Sequence, residues 1–210
     1  MTGDERRERL ARATLYLCTP VRQDLPAFLD AVLAAGVDVV QLRDKDADAR
    51  TQLSAARAFR DACDRHRALF VVNDRADLAL AAGADGVHVG QDDLPPARAR
   101  ALVGPGLLVG LSTHAPGEIE SAAAEPIDYL GVGPVNATPT KPGRPGVGLE
   151  LLTIAARMTL PWFVTGGMGP TTIPGAVAAG ARRFVVVRAI TEAPDAAAAV
   201  RAIKGVIPRV

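Results

Sequence analysis

Carboxylates follow two short apolar runs in the sequence, where they could hold a metal ion. The segment FVVNDRADLA delivers Asn73 and Asp74, and GVHVGQDDLPP delivers Asp93. Mg²⁺ is typically held by one or two carboxylates, while water and diphosphate oxygens complete its shell. If the two runs are neighbouring strands, Asp74 and Asp93 form a candidate magnesium site. Each carboxylate is also well placed to cap the helix that follows it.

A group of cations stands at the end of another apolar run, VVQLRDK. The period of two along a strand points Gln41, Arg43 and Lys45 to the same side. A guanidinium matches phosphate oxygens in pairs, an ammonium adds a mobile charge, and an amide can both donate to and accept from a heterocycle. The pattern predicts an anion-binding edge, although a solvated strand end would have the same composition.

The segment GLSTH carries Ser112 and His114 at a further strand end. The hydroxyl could hold a phosphate oxygen or a ring nitrogen, and it could equally start a helix. No acidic residue nearby has the spacing of a catalytic triad, so a serine nucleophile is rejected. His88 lies inside an apolar run, which favours a hydrogen-bonded interior residue over a catalyst.

The longest irregular stretch, GPVNATPTKPGRPGVG, contains too many prolines and glycines to form a helix. This composition predicts a mobile active-site loop. Three of its residues can bind an anion: Thr138, Thr140 and Lys141.

Two later segments, FVTGGMGP and FVVVRAI, predict a phosphate site. They place Gly166 and Gly167 after one apolar run and Val187 and Arg188 at the end of the next. Backbone N–H groups can approach a phosphate closely at such turns, and phosphate sites in barrels often follow strands seven and eight.

The elements that must position these residues are short β-branched runs alternating with Ala- and Arg-rich helical segments. That alternation is typical of an α/β protein with a parallel sheet. We predict eight strands and a single (β/α)₈ TIM barrel, whose function lies at the strand ends. A doubly wound sheet is disfavoured, because the first βα turn lacks the glycine-rich dinucleotide fingerprint. The predicted strands are Leu15–Cys18, Val37–Arg43, Leu69–Asn73, Gly86–Val89, Leu107–Leu111, Tyr129–Val132, Trp162–Thr165 and Arg183–Val187.

A recurring phrase marks where helices should end. AAGVDVV, AAGADGV and AAGARRFVVV each place a glycine between a helix and a strand. Gly36, Gly83 and Gly180 are therefore predicted to be left-handed helix caps.

Composition and charge narrow the classes of function. The chain has 210 residues, 49% of them apolar, which suits one domain spanning residues 1–210. A formal charge of +1 argues against nucleic-acid or membrane-surface binding and indicates a small-molecule partner. No segment resembles a signal peptide or a membrane span.

Two cysteines, Cys18 and Cys63, are too few for a disulfide framework and lack the spacing of a zinc or redox site. We therefore expect a cytoplasmic protein. Residues 1–13 are expected to be a frayed lead-in. The sequence leaves the oligomeric state open, including a homo-oligomer.

Seven segments, in order along nearly the whole chain, resemble the thiamine-phosphate synthase family. They are QLRDK, VNDRADLAL, GVHVGQDDLP, GLSTH, ATPTKPG, TGG and VVVRAI. The resemblance implies a Mg²⁺-dependent transferase of thiamine biosynthesis. It would join 4-amino-2-methyl-5-(diphosphooxymethyl)pyrimidine to 4-methyl-5-(2-phosphoethyl)thiazole, or to its carboxylated form, and release thiamine phosphate and diphosphate.

The resemblance also implies roles for particular residues. Asp74 and Asp93 would bind Mg²⁺, and Lys141, Arg43 and Ser112 would take part in catalysis. The pyrimidine diphosphate would be held by Gln41, Arg43, Lys45, Asn73 and Ser112. The thiazole phosphate would be received by Thr138, Thr140, Lys141, Gly167, Val187 and Arg188, with Lys141 also reaching the diphosphate. Many members of the family have serine in place of Arg188. The resemblance therefore implies a phosphate-binding role only for the backbone amide of Arg188, not for its side chain.

By the same likeness the mechanism is dissociative: diphosphate leaves first, and the thiazole nitrogen captures the resulting pyrimidine methyl cation. Two other hypotheses remain. One is the related thiazole tautomerase, which has the same barrel and phosphate cradle but lacks the intact diphosphate and metal apparatus. The other is a non-catalytic barrel that binds phosphate ligands. Mg²⁺-dependent diphosphate release would separate the synthase from both.

Overall fold

Eight parallel strands close into a barrel in which each strand pairs with its neighbours in sequence and β1 pairs with β8. The computed structural model describes residues 1–138 and 146–208. The predicted TIM-barrel fold is confirmed. The strands are β1 (Leu15–Thr19), β2 (Val39–Leu42), β3 (Leu69–Asn73), β4 (Gly86–Val89), β5 (Leu108–Thr113), β6 (Tyr129–Val132), β7 (Trp162–Val164) and β8 (Phe184–Val186).

Helices connect the strands and cover the outside of the barrel. They are α1 (Gly3–Arg12), α2 (Leu25–Ala34), α3 (Ala49–His66), α4 (Ala76–Ala81), α5 (Pro96–Val103), α6 (Pro116–Ala122), α7 (Glu150–Ala155), α8 (Ile173–Ala178), α9 (Arg188–Thr191) and α10 (Ala196–Val206). In the part of the chain that the structure describes, no helix combines the length and the apolar character needed to cross a membrane.

The predicted strand bounds agree with the structure at β3, β4 and β6, and the others differ by one or two residues. Two differences affect the site. Strand β2 ends at Leu42, so Arg43 lies just beyond it, and β5 continues to Thr113, so Ser112 lies inside the strand. The prediction that β5 ends at Leu111, which would place Ser112 just after the strand, is therefore wrong, because β5 continues to pair with β6 through Thr113.

The three predicted glycine caps are confirmed. Gly36, Gly83 and Gly180 have φ angles of 115°, 61° and 97°. After the first of them, the Val37 N–H donates to the Val32 carbonyl, and the same 6→1 bond follows the other two glycines. Each helix therefore stops where the next strand must begin.

The apolar core has two layers. A large outer layer lies between the strands and the surrounding helices. A smaller inner cluster fills the lower part of the barrel and includes Tyr16, Val71, Tyr129 and Phe163. The Phe163 ring meets Tyr16 and Tyr129 edge-on, with centroids 5.5 and 5.8 Å apart. These aromatic rings form a floor that separates the packed interior from the open end above.

The expectation that residues 1–13 form a frayed lead-in is wrong. Helix α1 begins with a capping box at Thr2, and its Leu10 is buried in the inner cluster. Two of its arginines reach buried carboxylates at the bottom of the barrel: Arg6 lies 3.0 Å from Asp85, and Arg7 lies 2.8 Å from Asp128. This helix closes the end of the barrel opposite the predicted site.

Candidate active site

A cavity of about 1050 Å³ opens above the aromatic floor, at the carboxyl ends of the strands. It collects every predicted site residue that the structure describes. These are Gln41, Arg43, Lys45, Asn73, Asp74, Asp93, Ser112, Thr138, Gly167, Val187 and Arg188. Their placement in one cavity agrees with a common site, while their individual roles remain predictions. Thr140 and Lys141 lie outside the described residues.

The two predicted metal-binding carboxyls are neighbours. The Asp93 carboxyl lies close enough to Asp74 to raise the pKa of that group, and Lys45 Nζ lies 3.2 Å from Asp74 Oδ2. Neither residue is the helix cap that its position allowed. The N-cap positions of α4 and α5 are occupied by Arg75 and Pro95, which make no side-chain capping hydrogen bond, while Asp93 Oδ2 accepts a 2.7 Å hydrogen bond from the Gly90 N–H.

Asp74 has unusual backbone geometry and electrostatics for a surface carboxylate. Its φ of 59° lies in the left-handed region, which aspartate tolerates better than most residues. Burial, and after it the adjacent carboxyl of Asp93, raises the pKa of Asp74, and Lys45 opposes that rise. A bound divalent cation would relieve the repulsion between the two carboxyls.

The chemistry of this donor set fits Mg²⁺. Among the described residues no group of three or more His, Cys, Asp or Glu side chains is arranged to hold a metal. A pair of carboxylates is the usual protein contribution to a Mg²⁺ ion whose remaining ligands are water and phosphate oxygens. Asp74 and Asp93 would be the residues that hold it.

The cations beside this pair are carried by a loop that a carboxylate holds in place. After β2, Asp44 Oδ2 accepts from the Val21 N–H, and its Oδ1 accepts from the backbone N–H groups of Asp46 and Ala47. The same turn carries Arg43 and Lys45 into the cavity wall. The sequence analysis did not identify the role of Asp44 in shaping this turn.

A chain of side chains on the cavity floor links Gln41 to Ser112. Gln41 Nε2 lies 2.8 Å from the Tyr16 hydroxyl, which lies 3.1 Å from the Tyr129 hydroxyl. His88 continues it, with Nδ1 3.2 Å from the Tyr129 hydroxyl and Nε2 2.9 Å from Ser112 Oγ. His88 is thus hydrogen-bonded in the interior, as predicted.

Sequence reasoning missed both tyrosines of this chain. Tyr16 and Tyr129 lie within apolar runs, where a tyrosine is ordinarily a core residue. The inward period of two on β1 and β6 was the available signal, because it places both rings on the side that faces the cavity.

The other side of the cavity is formed by glycine turns. Gly166 and Gly167 have φ angles of 96° and 63°. A Cβ on Gly166 would lie 2.5 Å from Pro134, so the turn after β7 packs directly against the loop after β6. The Val135 N–H donates to the Thr165 carbonyl over 2.8 Å, which fixes the base of that loop.

The two described arms of the loop after β6 are joined. Val147 N–H donates to the Pro134 carbonyl, and Gly148 N–H donates to the Val135 carbonyl, over 2.8 and 3.1 Å. Thr138 stands at the end of the outgoing arm and lines the cavity. Residues 139–145, between the two arms, lie outside the described residues. They include Thr140 and Lys141, so the prediction for these two residues falls outside the described part of the chain.

Arg188 begins the short helix α9 at the cavity edge. Its Nε lies 2.8 Å from Glu192 Oε1, one helical turn along, and about half of its side chain is exposed. The side chain is therefore paired within its own helix, which agrees with carrying over only the backbone amide at this position.

Comparison with known proteins decides the family. A sequence model described as thiamine monophosphate synthase matches residues 15–190. The chain belongs to this family. A thiamine-phosphate synthase of Thermobifida fusca is 54% identical over 205 residues, which cover 94% of each chain. One of Gloeobacter violaceus is also 54% identical over 195 residues, which cover 92% of this chain and 57% of that protein.

A solved structure extends the likeness to three dimensions. The thiamine phosphate pyrophosphorylase from Pyrococcus furiosus has a TM-score of 0.84 and is 29% identical, over 95% of this chain and 96% of that one. The thiamine monophosphate synthase family is a family of transferases, as the segments of the sequence predicted. Each of the seven segments of this chain quoted above contributes at least one described residue to the lining of the cavity.

Proposed function

We propose that this cavity condenses the pyrimidine diphosphate with the thiazole phosphate, or with its carboxylated form, to give thiamine phosphate and diphosphate. The observation that carries the proposal is that one cavity has two sides whose residues can each bind an anion. Cations and paired carboxyls stand on the side of β2, β3 and β4, and glycine turns stand on the side of β7 and β8. Two phosphorylated substrates can therefore meet above the aromatic floor.

The first side suits a diphosphate. Arg43 can bind phosphate oxygens in pairs, and Lys45 adds a flexible charge beside Asp74. Mg²⁺ held by Asp74 and Asp93 would neutralise charge on the departing diphosphate. This stabilisation of the leaving group favours a dissociative reaction, in which the carbon–oxygen bond breaks before the new bond forms.

The second side suits a monophosphate. Backbone N–H groups at Gly167, Val187 and Arg188 can approach phosphate oxygens closely, since no side chain intervenes at the glycine. Thr138 lies at the edge of the same region, and Thr140 and Lys141 are assigned here by the family resemblance alone. Binding on this side orients the thiazole nitrogen toward the pyrimidine carbon that loses diphosphate.

The floor between the two sides suits the pyrimidine ring. Gln41 and Ser112 are 3% and 8% exposed, and both line the cavity at the two ends of the hydrogen-bonded chain on its floor. With Asn73 at the end of β3, they can match the donors and acceptors of an aminopyrimidine. The aromatic floor excludes water, which would otherwise compete with the thiazole nitrogen for the pyrimidine methyl cation.

We also propose that the reaction takes place in the cytoplasm. Both cysteines are free thiols buried in the barrel, a state typical of proteins in reducing compartments.

Product identification tests this proposal. The purified protein is incubated with Mg²⁺ and both substrates, and thiamine phosphate is measured by mass spectrometry, with each substrate omitted in turn. The proposal requires product only when both are present. Conversion of the thiazole phosphate alone would instead indicate a tautomerase, and binding of both ligands without product would indicate a non-catalytic barrel.

A further inference from the structure

The hydrogen-bonded chain on the cavity floor can run in only two directions. Its first member, Gln41, has a carboxamide with a nitrogen that only donates and an oxygen that only accepts. The orientation of that amide therefore determines which partner donates at every later link. A second contact bears on that orientation: the thiol of Cys18 lies 3.3 Å from Gln41 Oε1.

The thiol contact favours one orientation of the amide. A thiol is a weak donor, so its hydrogen is best used toward the amide oxygen. Gln41 Nε2 then donates to the Tyr16 hydroxyl, 2.8 Å away. The reversed amide would direct an N–H toward sulfur, a weak acceptor, and would leave the Tyr16 hydroxyl to donate instead.

The orientation of the Gln41 amide determines which hydroxyl donates at each of the two tyrosines. Because the Tyr16 oxygen accepts from Gln41, its own hydrogen is directed to the Tyr129 oxygen, 3.1 Å away. The Tyr129 hydrogen is in turn directed to His88 Nδ1, 3.2 Å away. Burial raises the pKa of both tyrosines, so both phenols keep the hydrogens that these links require.

His88 links Tyr129 to Ser112 through its two ring nitrogens. Since Nδ1 accepts from Tyr129, the ring proton resides on Nε2, which donates to Ser112 Oγ over 2.9 Å. The hydroxyl hydrogen of Ser112 is then directed away from His88. At 8% exposure Ser112 borders the cavity, so that hydrogen is available to a substrate atom.

The geometry points to a directed relay in which Tyr16, Tyr129 and His88 position Gln41 and Ser112, with His88 as the Nε2–H tautomer and Ser112 as a hydrogen-bond donor to the substrate. These three are positioning residues, because they act on the substrate through the two ends of the relay. The link to a pyrimidine acceptor rests on the proposed function, whereas the tautomer of His88 does not.

The surrounding strands are shaped to hold the relay. A Cβ on Gly110 would lie 2.1 Å from Cζ of Tyr129, and a Cβ on Gly131 would lie 3.2 Å from Cε1 of His88. Both glycines stand within strands, where glycine is ordinarily unfavourable, and they leave room for the two rings. The two rings can therefore occupy the positions from which the hydrogen bonds form.

The tautomer is measured directly by nitrogen-15 NMR on full-length protein labelled at histidine. The chain has three histidines, so the signal of His88 is assigned by its loss in His88→Gln. The proposal predicts a proton on Nε2 and a bare Nδ1. A proton on Nδ1 would mean that the relay runs in the opposite direction, with Ser112 as an acceptor, and would overturn the proposal.

Kinetics then test the positioning role. Tyr129→Phe keeps the ring and removes the central hydroxyl, and it should weaken use of the pyrimidine substrate by about threefold to tenfold, the range expected for one hydrogen bond. The KM for the thiazole phosphate should stay unchanged. In the same variant the nitrogen-15 signal of His88 Nδ1 should shift because its hydrogen-bond donor is gone, while the proton stays on Nε2, whose acceptor Ser112 Oγ is unchanged.

The matched control is Thr113→Val. Thr113 is fully buried on the same strand as Ser112, and its hydroxyl donates to the Gly131 carbonyl over 3.3 Å outside the relay. It should lose some stability and change neither the tautomer nor the KM values. Equal kinetic changes in Thr113→Val and Tyr129→Phe would contradict the positioning role. Wild-type protein that forms no product would refute the proposed function while leaving the NMR result intact as a test of the relay.

Discussion

At the residue scale, the candidate site contains a carboxyl group whose surroundings disfavour its charged form. Asp74 is half-buried, faces a second carboxyl and has left-handed backbone geometry. Such features persist where the surrounding structure holds them, and they cluster at functional sites. The pattern ND after a buried strand was enough to predict this carboxylate, but its backbone geometry could not be predicted because it depends on the bond from its N–H to the His88 carbonyl.

Asp74→Asn should reduce turnover at least about a hundredfold, because one of two metal-binding carboxylates is lost. Asparagine tolerates the left-handed geometry, and burial together with Asp93 already disfavours the charged form of Asp74. The melting temperature should therefore stay the same or rise. The control is Asp77→Asn, which removes an exposed carboxylate paired with Arg75 on the next helix. A wild-type rate in Asp74→Asn at saturating Mg²⁺ would contradict the assignment.

Gly110→Ala tests how tightly the floor is packed. The added methyl group would meet the Tyr129 ring at 2.1 Å, so the ring must shift or the strand must move. Overpacking of this kind destabilises a core by about 1–3 kcal/mol, which urea unfolding can measure. Gly106→Ala is the matched control, since a Cβ there meets nothing within 4 Å. Similar urea midpoints for the two variants would show that the floor adapts.

At the element scale, an aspartate directly precedes each of three alternating strands, and the recurring glycine phrase contains two of these aspartates. Asp38, Asp85 and Asp128 precede β2, β4 and β6, and each accepts a hydrogen bond from a backbone N–H at the start of a neighbouring strand. The glycine before two of them was predicted as a helix cap. The aspartates were not, because their partners lie on other elements and no local pattern reveals them.

Asp85→Asn should therefore destabilise the barrel. Asp85 is 1% exposed and lies between Arg6 of α1 and Arg60 of α3, 3.0 and 2.9 Å from its oxygens. Removing one partner of a buried ion pair leaves uncompensated charge, and the loss should be about 3 kcal/mol in urea unfolding. Turnover below the unfolding temperature should change little, because this end of the barrel is opposite the cavity.

The control for that variant is Asp64→Asn. Asp64 also pairs with Arg60, at 2.8 Å, but two thirds of its side chain is exposed. It should lose less than about 0.5 kcal/mol. Equal losses in the two variants would mean that burial of the ion pair is not what stabilises the bottom of the barrel.

At the scale of the whole molecule, the sequence was sufficient to predict the fold and to bring the described candidate residues to one cavity, because strand order alone places all strand ends at one face. It was not sufficient to predict how deep in the barrel each polar side chain lies. Ser112 lies inside β5, and the tyrosines below it join the polar chain, since residues distant in sequence meet only after the barrel closes. Helix α1 was missed for the same reason: its capping signal is local, but its partners are Asp85 and Asp128.

Ligand binding should stabilise the whole barrel even without turnover. Inorganic diphosphate with Mg²⁺, at about a hundred times its dissociation constant, should add roughly 2.7 kcal/mol to the free energy of unfolding. The gain should disappear with excess chelator and shrink in Asp74→Asn, as measured by thermal unfolding. A gain that is equal with and without metal would show that Arg43 and Lys45 bind diphosphate unaided.

The most direct test of the central claim is diphosphate release by the purified protein supplied with both substrates, first with Mg²⁺ and then with excess chelator. The account predicts release that requires the metal and both substrates, with one diphosphate formed for each thiamine phosphate. Undiminished release in chelator, or release that does not depend on the thiazole phosphate, would contradict metal-assisted transfer between two sides of one cavity.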